Sequence, residues 1–306
     1  MLKQIKGLHH VTSLASSASK NNTFFTEALG LRRVKKTVNF DNPDVYHLYY
    51  GDEIGSPGSV MTYFPFPTKS RGTKGTGEVG RTSFAVPVGT LDAWANQLSD
   101  HATNISRDIR FGENRLLFDG PDGDSFALVE TDDERTPWVS PGISSDMAIR
   151  GFHSADMRIQ DEGASAELLK FMGYTEIDRD DNIVRFAVEN GYGADVIDIE
   201  TIPSADDAHQ GAGSVHHLAF AVENRARQLE VREALLDTGY RVTPVIDRNY
   251  FWAIYFRTPG GILFEVATNE PGFDVDEDSS NLGMALKLPA QHEHLRERLE
   301  KTLEPV

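Results

Sequence analysis

Two adjacent histidine pairs, His9-His10 and His216-His217, and one glutamate in an apolar run, Glu265, are the residues of this chain with the most chemical potential. Imidazoles and carboxylates together are ligands for divalent transition metals. Each histidine pair opens a strand-like segment. Successive strand side chains point to opposite faces, so each pair is expected to place one imidazole towards a shared cavity, while the other faces elsewhere or leans in from the rim. A lone strand histidine is more often structural than ligating. Glu265 stands in Gly260-Gly261-Ile262-Leu263-Phe264-Glu265-Val266-Ala267. A carboxylate there needs a cation, a hydrogen-bonded partner or water, unless it faces outward on a half-buried strand.

A repeat positions these residues. Ile5-Lys6-Gly7-Leu8-His9-His10 returns as Ile149-Arg150-Gly151-Phe152-His153-Ser154, and Thr82-Ser83-Phe84-Ala85-Val86 is matched by Leu218-Ala219-Phe220-Ala221-Val222. Gly120-Pro121-Asp122-Gly123 and Thr258-Pro259-Gly260-Gly261 each turn into a strand with period-2 alternation. The spacing predicts helices at Asn21–Leu29, Leu91–Leu98, Gly163–Phe171 and Arg225–Leu236, the first and third stopped by Gly30 and Gly173. The chain therefore reads as α+β, with four βαβββ units near 5–65, 78–132, 148–202 and 213–268. A division into 1–140 and 141–270 is expected, each holding two units, followed by a tail at 271–306 that is acidic and then helical from Pro289 to Leu303. Aligned on the repeat, Ser154 lies opposite His10, Arg81 opposite His217 and Ala127 opposite Glu265, so the three candidate ligands have no ligating counterparts. Two imidazoles and one carboxylate match the facial triad of non-haem Fe(II) oxygenases, and three protein ligands leave positions open for reactants. One shared site requires units one and four to pair across the molecule.

Composition narrows the rest. The 306 residues carry a net charge of -17 and no cysteine, which disfavours nucleic acid and excludes thiolate chemistry and disulfides. The opening MLKQIKGLHHVT has no apolar stretch of the export type, so a cytoplasmic location is expected. The glycines from Gly72 to Gly80 follow no phosphate-loop pattern and read as a flexible connector bordering a substrate entrance. The acidic runs Asp132–Glu134 and Asp274–Asp278 read as solvated loops, His292 and His294 as solvent-facing, His47 as a packed strand residue, and Phe24 and Phe25 as core.

Longer strings carry a resemblance. They are Gly7-Leu8-His9-His10-Val11-Thr12, Tyr46-His47-Leu48-Tyr49-Tyr50 with Gly55-X-Pro57-Gly58, Arg150-Gly151-Phe152-His153-Ser154, Arg257-Thr258-Pro259-Gly260-Gly261, and Leu282-Gly283-Met284-X-Leu286-Lys287. Together they resemble the vicinal oxygen chelate (glyoxalase, bleomycin-resistance and extradiol dioxygenase) superfamily. Within it they are most similar to the hydroquinone ring-cleaving dioxygenases of the 2,6-dichlorohydroquinone type. The likeness runs over nearly the whole chain. It implies two half-barrel domains, with His10, His217 and Glu265 as ligands to Fe(II), or to Mn(II) instead, and His9, Thr12, His216, Arg248 and Tyr255 around them. It implies a small aromatic diol and O2 as partners, and a homo-oligomer. In that setting Tyr255 is a candidate general acid or hydrogen-bond donor, His216 or His9 a proton holder, and Arg248 a stabiliser of anionic oxygen, while Thr12 is matched without a firm role. Two rivals stay open within the fold: a glyoxalase-type isomerase or lyase, which typically adds a fourth protein ligand, and a metal-free drug-binding protein.

Overall fold

The computed structural model describes residues 1–306. Unit one holds β1 (Leu8–Ala15), α1 (Ala18–Thr23), β2 (Arg32–Asn39), β3 (Asn42–Gly51) and β4 (Val60–Pro65); unit two holds β5 (Glu78–Val86), α2 (Leu91–Leu98), β6 (Thr103–Arg110), β7 (Glu113–Asp119) and β8 (Ser125–Glu130). Unit three holds β9 (Gly151–Ile159), α3 (Gly163–Phe171), β10 (Tyr174–Asp180), β11 (Ile183–Val188) and β12 (Val196–Thr201). Unit four holds β13 (Val215–Val222), α4 (Arg225–Asp237), β14 (Ile246–Asp247), β15 (Phe251–Arg257) and β16 (Leu263–Pro271). The predicted helices at α2 and α3 are found with the expected ends. The first begins earlier, because Ser17 caps it by accepting from the Lys20 amide, and it ends in a π-helical turn over Phe24–Ala28. The C-terminal helix is shorter than expected: Ala290–Leu295 is 3-10, and only Arg296–Thr302, α5, is α-helical.

The strands form two eight-stranded curled sheets, ordered β14-β15-β16-β13-β1-β4-β3-β2 and β10-β11-β12-β9-β5-β8-β7-β6. The first sheet joins units four and one through the antiparallel pair β1–β13; the second joins units three and two through β5–β9. Each sheet takes one unit from either side of residue 140, so the sheets cut across that chain division. Phe24, Phe25, Phe84, Phe118, Phe126 and Phe152 are buried in one 52-residue apolar cluster that contains residues from all four units.

The register also carries the repeat into space. His10 and Glu265 both pair with Ala219, while Ser154 and Ala127 both pair with Ser83. Both junctions bear two bulges. The extra residues are His9 and His216 in the first sheet, and His153 and Gly80 at the corresponding places in the second.

Several surface readings change. The Gly72–Gly80 connector pairs with the other inter-unit linker through Arg71–Ala212, Thr73–His209 and Thr76–Asp207. A side chain at Gly75 would meet the Asp206 carbonyl oxygen at 2.4 Å, so glycine here permits close backbone contact rather than looseness. The acidic run after β16 is not merely solvated. Asp276 and Glu277 each bind the fully buried Lys35 ammonium at 2.6 Å. Nor is His292 solvent-facing, since its Nε2 donates to the Phe40 carbonyl at 2.9 Å. No helix is long and apolar enough to cross a membrane.

Candidate metal centre

The two bulges explain how both histidines of a pair reach one region. An ideal strand would send His9 and His10 to opposite faces. The extra residue breaks that alternation, and His9 Nδ1 lies 2.9 Å from His10 Nδ1. His216 Nδ1 likewise lies 2.8 Å from His217 Nδ1. At the first pair only His10 lines the cavity, as expected from sequence, with His9 behind it; at the second, both His216 and His217 line it.

On the far side of each ring, His10 Nε2 and His217 Nε2 are 3.3 Å apart. Glu265 Oε2 lies 3.5 Å from the first and 2.9 Å from the second. His10, His217 and Glu265 thus offer three buried ligand atoms within 4.8 Å of one another, with no fourth histidine or acid in the group. The Glu265 side chain is 0% exposed, and neither of its oxygens has a hydrogen bond of good geometry. A buried carboxylate so placed demands a cation. Two imidazole nitrogens and one carboxylate oxygen suit Fe(II) or Mn(II), so the residues fit a metal of that kind.

The electrostatics agree. Burial alone would raise the Glu265 carboxyl, but the adjacent His10 and His217 hold it well below its usual range. Burial, assisted by neighbouring imidazoles, depresses His9 to about 3 and His216 to about 4. Burial also lowers His217, against the pull of Glu265. These rings are neutral, as ligation and ligand support require. With a metal on both Nε2 atoms, the ligand histidines would carry their protons on Nδ1 and donate to His9 and His216.

The triad opens on a cavity of about 460 Å³, a size that accepts a small aromatic molecule. Phe40, Phe64, Phe66, Phe251, Leu14 and Leu263 supply its apolar wall. His216, Arg248 and Tyr255 also line it, whereas His9 and Thr12 do not. His9 lies behind His10 and packs against Phe251 at 5.4 Å between ring centroids. Thr12 Oγ1 is spent on Thr62 Oγ1 at 2.9 Å. Tyr255 is the cross-strand neighbour of Glu265. Arg248 Nε donates to the Tyr255 hydroxyl at 3.3 Å, and Arg248 Nη1 reaches Asp41 at 3.3 Å. Burial, together with Glu265, pushes the Tyr255 phenol well above its usual range, so it stays protonated.

Sequence reasoning missed His47 and Tyr49. Both line the cavity, and their spacing on β3 was the available signal: period 2 sets them on one face, with Tyr46, Leu48 and Tyr50 on the other. Lys69 and Gln210, from the two paired linkers, complete the rim.

The model of the Glyoxalase/Bleomycin resistance protein/Dioxygenase superfamily matches residues 7–128 and 158–266. A Bacillus subtilis (strain 168) protein named "Putative ring-cleaving dioxygenase MhqO" is 39% identical over 100% of this chain and 98% of its own. The "Chlorohydroquinone/hydroquinone 1,2-dioxygenase" of Sphingobium indicum (strain UT26S) is 36% identical, covering 98% of this chain and 97% of its own. The crystal structure of a "putative dioxygenase from Bacillus subtilis subsp. subtilis str. 168" superposes with a TM-score of 0.95 at 39% identity, over 99% of this chain and 98% of the other. The chain thus belongs to the Glyoxalase/Bleomycin resistance protein/Dioxygenase superfamily, with ring-cleaving dioxygenases among its full-length relatives.

Proposed function

We propose that this protein is an Fe(II)-dependent ring-cleaving dioxygenase acting on a hydroquinone-type aromatic diol with O2. The observation that carries the reading is the three-ligand cluster itself: a buried carboxylate with no hydrogen bond of good geometry, beside two buried imidazoles, at the wall of an aromatic-lined cavity. Three protein ligands suit chemistry in which reactants also bind the ion. A glyoxalase-type site of the four-ligand kind finds no fourth acid or histidine here. A metal-free drug-binding site would leave the Glu265 charge uncompensated.

His10, His217 and Glu265 would hold the iron, which supplies Lewis acidity towards a phenol oxygen and an electron path between ring and O2. The remaining roles fall to the chain. The phenylalanines clamp the ring and exclude water. The protonated Tyr255 hydroxyl, beside Glu265, is placed to donate a hydrogen bond or proton to a developing oxyanion. Arg248 fixes that hydroxyl and adds positive charge. His216 lies on the wall and can hold a proton from the substrate, while His9 and Thr12 act from behind, His9 by accepting from His10 and Thr12 by ordering Thr62.

The test is oxygen uptake. Protein loaded with Fe(II) under anaerobic conditions should consume one O2 per hydroquinone and yield a ring-opened acid. Absence of uptake, with turnover of a hemithioacetal, would overturn the reading in favour of an isomerase.

A further inference from the structure

We infer that the Tyr49 hydroxyl is the recognition point for the second hydroxyl of the diol, the one turned away from the triad, and that His47 positions it. This rests on the aromatic-diol reading and adds a specificity element to the same site.

Four side chains form one hydrogen-bonded line. Tyr49 OH meets His47 Nδ1 at 2.8 Å, His47 Nε2 meets Thr62 Oγ1 at 2.8 Å, and Thr62 meets Thr12 at 2.9 Å. Both nitrogens of His47 are therefore filled from within the protein, so the ring has nothing left to offer a ligand. Tyr49 differs. A phenol has one donor and two acceptor positions, and its single side-chain partner is His47. Tyr49 lines the cavity, and its hydroxyl keeps hydrogen-bonding capacity beyond the bond to His47.

The hydroxyl is also held in place. His47 and Tyr49 pack with centroids 4.0 Å apart, and Phe64 packs on the His47 ring at 4.2 Å. From outside, Phe273 packs on Tyr49 at 5.0 Å and stacks on Tyr250 at 5.4 Å. The buried Lys35, paired with Asp276 and Glu277, sits 4.7 Å over the Tyr250 ring. The segment after β16 thereby buttresses the cavity wall. A polar group so fixed in an apolar pocket discriminates by what it leaves unpaired when the wrong ligand binds. A diol satisfies Tyr49, and a monophenol does not.

The experiment uses full-length protein loaded with Fe(II) and kept anaerobic, with hydroquinone and phenol as probes and dissociation constants measured by calorimetry. Wild type should prefer hydroquinone by about five- to tenfold, the factor one neutral hydrogen bond supplies. Tyr49→Phe retains the ring and its packing; in it the preference should shrink towards unity with phenol affinity unchanged. His47→Phe should lower the same ratio severalfold, an effect that general loosening of the pocket would not produce selectively. If wild type prefers hydroquinone and Tyr49→Phe keeps the full preference, Tyr49 is excluded while the diol reading stands. If wild type binds neither probe, the diol reading falls and this assignment falls with it.

Discussion

In the sheet of units one and four, the positions around the junction carry His10, His217, Glu265, Thr12, Thr62 and Tyr49. In the sheet of units two and three, the same register positions carry Ser154, Arg81, Ala127, Asp156, Asp198 and Arg185. The frames match down to the bulges, yet the contents differ. Arg185 grips Asp198 through two hydrogen bonds of 2.8 and 2.9 Å and Glu113 through one of 2.6 Å. Arg110 reaches Asp156 at 2.7 Å, and Glu113 accepts from His153 at 2.9 Å. The second sheet thus meets its buried carboxylates with guanidinium groups. The first leaves Glu265 without a protein cation of fixed charge and leaves space beside it. A buried charge matched by side chains makes a rigid structural element, whereas one left for an exogenous ion makes a binding site.

The largest effect should come from Glu265→Ala. Turnover should fall on the order of a thousandfold or more, as a metal ligand and its charge are lost. Elemental analysis should show the metal gone, and the metal-free variant should melt no lower than metal-free wild type, because an uncompensated buried carboxylate has been removed. Retention of full metal would break the comparison. Next, Tyr255→Phe should lower kcat about a hundredfold with metal content unchanged, the range for loss of one positioned acid or hydrogen-bond donor. In the second sheet, Asp198→Ala should cost about 3 kcal/mol of stability by taking a buried carboxylate from Arg185 and Arg110, which keep only Glu113 and Asp156, read as a shifted denaturant midpoint, while kcat of the folded fraction stays near wild type.

The smallest effect is one of pH. Burial alone would raise the Glu113 carboxyl, but His153 and Arg185 bring it from 4.5 down to about 2. Its folded value lies below the ordinary one, so its contribution to stability is complete above pH 4.5 and is lost as pH falls towards 2. Glu113→Gln should flatten the fall in urea midpoint over that interval. An unchanged slope would remove Glu113 from the ionic cluster.

Much of this was legible in the chain. Period-2 alternation and glycine stops marked four units, and the lack of ligating counterparts at Ser154, Arg81 and Ala127 singled out one site shared by distant units. His47 and Tyr49 were harder to read. Their spacing put them on one face of β3, but a tyrosine- and histidine-rich strand gives no sign of which face meets a cavity. The bulges at His9 and His216 left no mark either, because a bulge is a mismatch between two strands and neither strand records it alone.

The sequence by itself determined the units, the residue types able to bind a metal, and the pairing of first unit with last, since local periodicity and repeat alignment are properties of the chain. Only the tertiary structure decided that His216 joins His217 on the cavity wall while His9 backs His10, that Tyr49 keeps hydrogen-bonding capacity, and that the acidic segment after β16 folds onto Lys35 to support that wall. These depend on strand register and on contacts between residues far apart in the chain, where a side chain's partners are set by packing.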